Sequence, residues 1–103
     1  MVIVERTMLV KQEHADAFSG IFTAECPMAK IQGFIRRSVF RKVLQDGHEQ
    51  FIIYAMFEDE TALKRWSESD APKRERELRK DLFGYLISET KNQVQLVKEL
   101  LPE

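Results

Sequence analysis

The stretch GFIRRSVFRKVLQDGHEQFIIYAMF, Gly33 to Phe57, decides the fold that the sequence predicts. Two runs rich in β-branched and aromatic residues, 34–43 and 51–57, flank a short polar segment that contains Asp46-Gly47. An Asp-Gly pair between two such runs is typical of the turn in a β-hairpin. We therefore expect two neighbouring antiparallel strands in the middle of the chain.

A strand and a helix are predicted before this hairpin. Val2–Val10 is rich in β-branched residues that alternate loosely, which predicts a strand. Gln12–Cys26 carries Phe18 and Phe22 at helical spacing, and Pro27 ends the regular pattern.

A broken helix and a last strand are predicted after the hairpin. Asp59 is a suitable N-cap for a helix that includes Trp66, and Ser69–Asp70 can recap a second stretch through Leu78 and Leu82. The segment 83–88 is compatible with a helix end or with extended chain, and 92–101 predicts the last strand. The order β-α-β-β-α-β is the ferredoxin-like α+β arrangement, an antiparallel four-stranded sheet with both helices on one face. Residues 1–103 are expected to form a single domain.

The second face of such a sheet needs a cover. The third strand, Phe51–Phe57, is apolar on both faces, and Val2, Val4, Met8 and Val10 share one face of the first strand. We assign Val4 and its neighbours to the uncovered face. The expected cover is a second copy of the chain, sheet against sheet, in a homodimer.

Composition narrows the class of protein. The chain has 17 acidic and 16 basic residues, so its net charge creates no overall electrostatic attraction to nucleic acid or to an anionic membrane. The single cysteine, Cys26, excludes an intramolecular disulfide and a Cys-rich metal site. The N-terminal residues lack the apolar core of a signal peptide, and no run is long enough to cross a bilayer. A cytoplasmic protein with no metal site is expected.

The segments VERTMLVK, QGF and YAMFEDETALKRWSESDAPK carry a family resemblance. The chain resembles the antibiotic biosynthesis monooxygenases, small dimeric α/β barrels, near their haem-degrading branch. The resemblance implies a cofactor-independent monooxygenase that acts with O₂ on a bound aromatic, quinol-like or porphyrin compound. It also implies a pocket between helices and sheet, with Trp66 as a catalytic residue and Phe22 among the residues that bind the substrate.

The haem-degrading branch typically combines an asparagine, the tryptophan and a histidine that ligates iron. In the alignment that the resemblance suggests, Glu5 stands at the asparagine position and Arg76 at the histidine position. Arginine has no lone pair to donate to iron, so haem bound as a substrate or ligand would lack the usual bond.

Each candidate residue has a structural alternative. Trp66 either forms a wall of the pocket or anchors its helix on the sheet. If the Glu5 face looks toward the helices, Glu5 is a catalytic base for a phenol-like substrate; otherwise it pairs with a nearby arginine. Tyr54 either hydrogen-bonds a substrate carbonyl or has a structural partner. Arg76 either holds a substrate carboxylate or phenolate, or belongs to a solvated helix surface.

Two function classes therefore stay open. The first is the monooxygenase, with haem degradation at an unusual site as a variant of it. The second is a non-catalytic dimeric module, which binds a small hydrophobic aromatic ligand or has a stress-related role. It stays open because fold alone does not determine activity.

Overall fold

The computed structural model describes residues 1–23, 26–95, 100 and 102, with the backbone alone at 78, 79 and 81–83. Four strands and three α-helices follow one another in the described part of the chain. They are β1 Val2–Val10, α1 Ala15–Thr23, β2 Phe34–Val43, β3 Glu49–Phe57, α2 Glu60–Glu68, α3 Ala71–Arg79 and β4 Leu86–Gln95. Short 3₁₀ turns at Gln12–His14, Pro27–Lys30 and Lys80–Tyr85 connect them.

The strands form one antiparallel sheet in the order β2-β3-β1-β4. In this register Val2 lies opposite Phe57 of β3 and Gln95 of β4, and Phe57 lies opposite Phe34 of β2. This is the ferredoxin-like topology that the sequence predicted.

The predicted hairpin turn and the predicted helix N-cap are both confirmed. Gly47 has a φ of +88° in the hairpin turn, where the Leu44 N–H donates to the His48 carbonyl at 2.9 Å. The Asp59 carboxylate accepts the Ala62 N–H at 2.8 Å and caps α2. Gly33, before β2, has a φ of +89°, and a Cβ there would lie 2.5 Å from the Ala62 Cβ. A side chain at position 33 would therefore push α2 off the sheet.

The boundaries of two predicted elements are wrong. The first helix starts as a 3₁₀ turn at Gln12 and becomes α-helical at Ala15. The last strand starts at Leu86, earlier than the predicted Asn92. Glu25 and residues 96–99 and 101, which belonged to these predictions, lie outside the described residues, as do the side chains of Leu78 and Leu82.

The predicted assignment of the β1 faces is also wrong. Val2, Val4, Met8 and Val10 are at most 5% exposed because they pack under the helices. Four of the five side chains on this face are apolar, so it removes more apolar surface from water than the face that carries Glu5.

Two clusters of buried side chains fill the layer between helices and sheet. Under α1, Ala15 and Phe18 pack on residues that include Met8 and Phe51. Under α2 and α3, Ala62, Trp66 and Ala71 pack on Val4, Ala55 and Phe57. The surface of the sheet opposite to them, which we call the outer sheet face, carries Ile3, Glu5, Thr7, Leu9, Phe40, Ile52, Tyr54 and Met56.

Candidate functional site

A cavity of about 490 Å³ opens between α1 and the helix side of β2 and β3. Its volume is within the range of small-molecule sites, roughly 300–1,000 Å³. The following residues line this helix-side cavity: Ser19, Phe22, Thr23, Cys26, Ala29, Phe34, Arg37, Val39, Arg41 and Phe51.

Aromatic rings form one wall of the helix-side cavity. Phe18 and Phe22 lie one helical turn apart on α1, so both face the sheet. The Phe51 ring of β3 lies 5.1 Å from the ring of Phe18 and 6.1 Å from the ring of Phe22. Of these rings, Phe22 and Phe51 line the cavity and give it an apolar surface on which a flat aromatic ligand can stack, and the buried Phe18 packs behind them.

Arg41 lies at one end of the cavity and is held by two carboxylates. Its Nε donates to Glu49 Oε1, and its Nη2 donates to Glu49 Oε2 at 2.9 Å and to Asp16 Oδ1 at 2.7 Å. The guanidinium also lies 5.8 Å from the Phe51 ring centroid. The hydrogen bond from Arg41 lowers the pKa of the Glu49 carboxyl below its ordinary value of 4.5 and raises the pKa of Arg41.

The Glu49 pair should make stability depend on pH in the acid range. Because the pKa of Glu49 is lower in the folded state, the stabilisation is complete above the ordinary value of 4.5 and is lost as the pH falls through the lowered pKa. Glu49→Gln should therefore be less stable at neutral pH and should lose less free energy of unfolding on acidification. Urea denaturation across an acid pH series measures both effects. Glu58→Gln, at an exposed position after β3, is the matched control; equal pH profiles for Glu49→Gln and the wild type would contradict this role.

Arg37 is the second arginine of the cavity and has a different environment. It lies opposite Ala55 of β3, which places it on the helix side of the sheet, and its side chain is 7% exposed. The guanidinium carbon lies 5.4 Å from the Phe22 ring centroid, and Nη2 donates to the Phe22 carbonyl at 3.4 Å. Unlike Arg41, Arg37 has no carboxylate at hydrogen-bonding distance among the described residues.

A buried group of charges lies between the sheet and α3. Glu75 is 4% exposed, and its Oε1 lies 4.0 Å from Arg6 Nη1 and 3.9 Å from Arg37 Nη1. Arg6 has a second carboxylate, because Glu89 Oε1 lies 3.9 Å from its Nε. Glu75 therefore lies between two arginines from different strands and partly neutralises both.

Trp66 is an anchor of α2, and it also lines a small cavity in the core and an open one of about 430 Å³ between α2 and β4. It is 6% exposed and its ring lies 6.1 Å from the Phe57 ring. Its Nε1 is buried without a hydrogen-bond partner among the described residues. A cavity of about 10 Å³ next to Trp66, Arg6 and Glu75 has about the volume that one water molecule needs. A polar atom there could satisfy the indole N–H.

The structure brings only part of the predicted site together. Phe22 lines the helix-side cavity, and Trp66 lies in the neighbouring core. Glu5 and Tyr54 are opposite each other on the outer sheet face, so the condition set for a Glu5 base, that its face looks toward the helices, is not met. Arg76 is exposed on α3, and the neighbouring Glu75 takes the buried position.

Sequence reasoning missed Arg6, Arg37 and Glu75. A signal existed for Glu75, because Ala71, Glu75 and Leu78 follow the spacing of one helix face. Alternation also placed Arg6 with Val4 and Met8, but the face was assigned to the wrong side.

The two histidines lie away from the helix-side cavity. The His14 ring stacks on Tyr85 at 3.8 Å, His48 lies in the hairpin turn, and neither lines the helix-side cavity. Within residues 1–23 and 26–95, no group of three or more His, Cys, Asp or Glu side chains is arranged to hold a metal ion. No described helix is long and apolar enough to cross a membrane.

Comparisons with known proteins agree with this architecture. The family model described as "Antibiotic biosynthesis monooxygenase" matches residues 1–77. The heme-degrading monooxygenase HmoA of Bacillus subtilis (strain 168) is 34% identical over 71 residues, which are 69% of this chain and 66% of that protein. The matched region therefore spans slightly less than two thirds of the relative's length.

Solved structures share the fold over nearly the whole chain. A candidate antibiotic biosynthesis monooxygenase from Bacillus cereus is 23% identical with a TM-score of 0.78, and the match covers 98% of this chain and 97% of that one. A monooxygenase from Streptomyces coelicolor, solved with the ligand Nanaomycin D, is 20% identical with a TM-score of 0.68 and coverages of 99% and 92%.

Proposed function

This chain belongs to the antibiotic biosynthesis monooxygenase family, and we propose that it is a monooxygenase that uses O₂ on an electron-rich aromatic compound bound in the helix-side cavity. The observation that carries the proposal is the cavity itself, where phenylalanine rings and a buried arginine meet between α1 and the sheet. Rings favour a flat aromatic ligand, and the cation favours an electron-rich or ionised one.

The reaction needs no resident cofactor when the substrate supplies all the electrons. A phenol and O₂ give a quinone and water: one oxygen atom forms the new carbonyl group, and the other leaves as water with two hydrogen atoms from the substrate. The protein's contribution would be to hold the ring, to stabilise its ionised form and to keep bulk water out. Because Glu5 and Tyr54 lie on the outer sheet face, the proposal assigns them no contact with a ligand in this cavity.

The functional unit that we propose is a homodimer formed through the outer sheet face. That face combines Ile3, Leu9, Ile52 and Met56 with Phe40, which is 57% exposed in the single chain. Contiguous apolar surface of this kind marks an interaction site. A second copy related by a two-fold axis would cover it with the same surface.

Oxygen consumption tests the proposed activity. A panel of quinols and hydroxynaphthoquinones should be oxidised faster with the protein than in buffer, and only in the presence of O₂. Ser19→Trp should abolish this turnover, because Ser19 lines the cavity and an indole would fill it. Thr61→Trp, at an exposed position of α2 away from the cavity, should retain it.

The outcomes separate the candidate functions. Saturable binding of the panel without O₂ consumption would favour the non-catalytic binding module. Haem is the second candidate substrate, because the match to a heme-degrading monooxygenase favours it. Haemin with a reductant and O₂ should not yield a bilin-like product, since none of the described residues that line the cavity is a histidine. Efficient conversion would replace the quinol proposal with haem degradation.

A further inference from the structure

Arg37 has hydrogen-bonding capacity that the described residues do not use. A guanidinium has five N–H donors, and among the described residues Arg37 makes one hydrogen bond, the contact of 3.4 Å with the Phe22 carbonyl. Among the same residues, the carboxylate nearest to it is that of Glu75, 3.9 Å away. Because Arg37 lines the helix-side cavity, its remaining donors can reach an acceptor that is bound there.

The charges around Arg37 also favour an additional anionic partner. Among the described residues, Arg37 has one carboxylate within 4 Å, that of Glu75, which it shares with Arg6. Arg41, the other arginine that lines the cavity, is hydrogen-bonded to both Glu49 and Asp16. Of the two arginines in the cavity, Arg37 is therefore the one whose positive charge is less compensated.

The position of Arg37 relative to the rings defines the ligand. Its guanidinium lies 5.4 Å from the centroid of Phe22, which lines the cavity together with Phe34 and Phe51. A flat ring in the cavity would lie among these phenylalanines with its edge within reach of a cation. An anionic oxygen on that edge would accept from Arg37, which binds carboxylates and phenolates well.

We propose that Arg37 selects aromatic acids, by binding a carboxylate oxygen of the ligand that occupies the helix-side cavity. This inference rests on the proposed function, because it takes the cavity as the substrate site. It adds a chemical class, an aromatic acid, and the residue that recognises it.

Binding of two matched compounds tests the inference. The probes are 1-hydroxy-2-naphthoate, which is an anion at neutral pH, and 1-naphthol, which has the same rings without the carboxylate. Calorimetric titration of the wild type should show tighter binding of the naphthoate. Arg37→Gln should weaken naphthoate binding on the order of ten- to a hundred-fold and change naphthol binding by less than about two-fold. Arg37→Lys should restore part of the preference, because it keeps the charge without the planar fork.

Arg36→Gln is the matched control, since Arg36 lies next in the chain, opposite Met56 on the other side of the sheet. It should bind both compounds as the wild type does. Equal affinity of the wild type for both compounds, or equal weakening of both by Arg37→Gln in a protein with an unchanged circular dichroism spectrum, would overturn the inference and leave the monooxygenase proposal standing. Failure of the wild type to bind either compound would count against both proposals. If Arg37→Gln does not fold, Arg37→Lys decides alone: full retention of the naphthoate preference without any loss of affinity would overturn the role of the guanidinium.

Discussion

Glu75→Ala is expected to lower the free energy of unfolding by about 3–5 kcal/mol, the cost of breaking a buried ion pair. The substitution removes the carboxylate that Arg6 and Arg37 share. Arg37, which is 7% exposed, would then have no carboxylate within 4 Å among the described residues, and Arg6 would keep Glu89. Neither arginine can regain full hydration without moving away from the sheet. Urea denaturation followed by circular dichroism measures the loss.

Two further variants isolate the cause of that loss. Glu77→Ala, exposed on the same helix, should change the free energy of unfolding by no more than about 0.5 kcal/mol. Glu75→Gln keeps the size of the side chain and removes its charge, so it should recover little of the stability. A Glu75→Ala variant as stable as Glu77→Ala would show that the three charges do not depend on one another.

Local chemistry explains which parts of the fold were predictable. The Asp46-Gly47 turn and the Asp59 cap depend on residues within a few positions of each other, so the sequence contains the whole signal. The start of β4 carries no such signal. Its residues 87–95 are exposed, and segments such as SETKNQ have no apolar alternation, because this edge strand is held by backbone pairing with β1.

The candidate site was less predictable because its residues look like surface residues in the sequence. Arg6, Arg37 and Glu75 come from β1, β2 and α3, and only the tertiary fold brings them together. No pattern within one segment marks such a group. The family resemblance selected Glu5 and Arg76 as candidates. Each is one residue away from the charged side chain that points into the helix layer, Arg6 in the first case and Glu75 in the second.

The two faces of β1 illustrate the same limit. Alternation separates Val4 from Ile3 with certainty, since neighbouring side chains of a strand point to opposite sides. It does not say which side the helices cover, because both faces of β3 are apolar. The structure resolves this: Val4 lies 5% exposed against Ala62 and Trp66, and Ile3 lies on the outer sheet face opposite Met56.

Val4→Asp should unfold the protein. A carboxylate at this position would be buried under α2 and α3 among Phe57, Trp66 and Ala71. The cations on the same side already have other partners, since Arg6 lies against Glu75 and Lys91 lies over the Trp66 ring. An unpaired buried charge costs more than about 4 kcal/mol, a large part of the stability of a small domain. Loss of the helical circular dichroism signal at room temperature is the expected result.

Ile3→Asp places the same charge one residue away and should act on assembly alone. In the single chain the side chain of Ile3 is only partly buried, so the variant should keep its fold. In the proposed dimer the new carboxylate would lie between two apolar sheet faces, and the cost of removing it from water would oppose association. Light scattering at micromolar concentration should therefore give twice the chain mass for the wild type and the chain mass for Ile3→Asp. If Val4→Asp were a folded monomer and Ile3→Asp were unfolded, the assignment of the two β1 faces would be wrong, and so would the placement of Arg6 and Glu5. A monomeric wild type that binds no hydrophobic dye would contradict the proposed dimer.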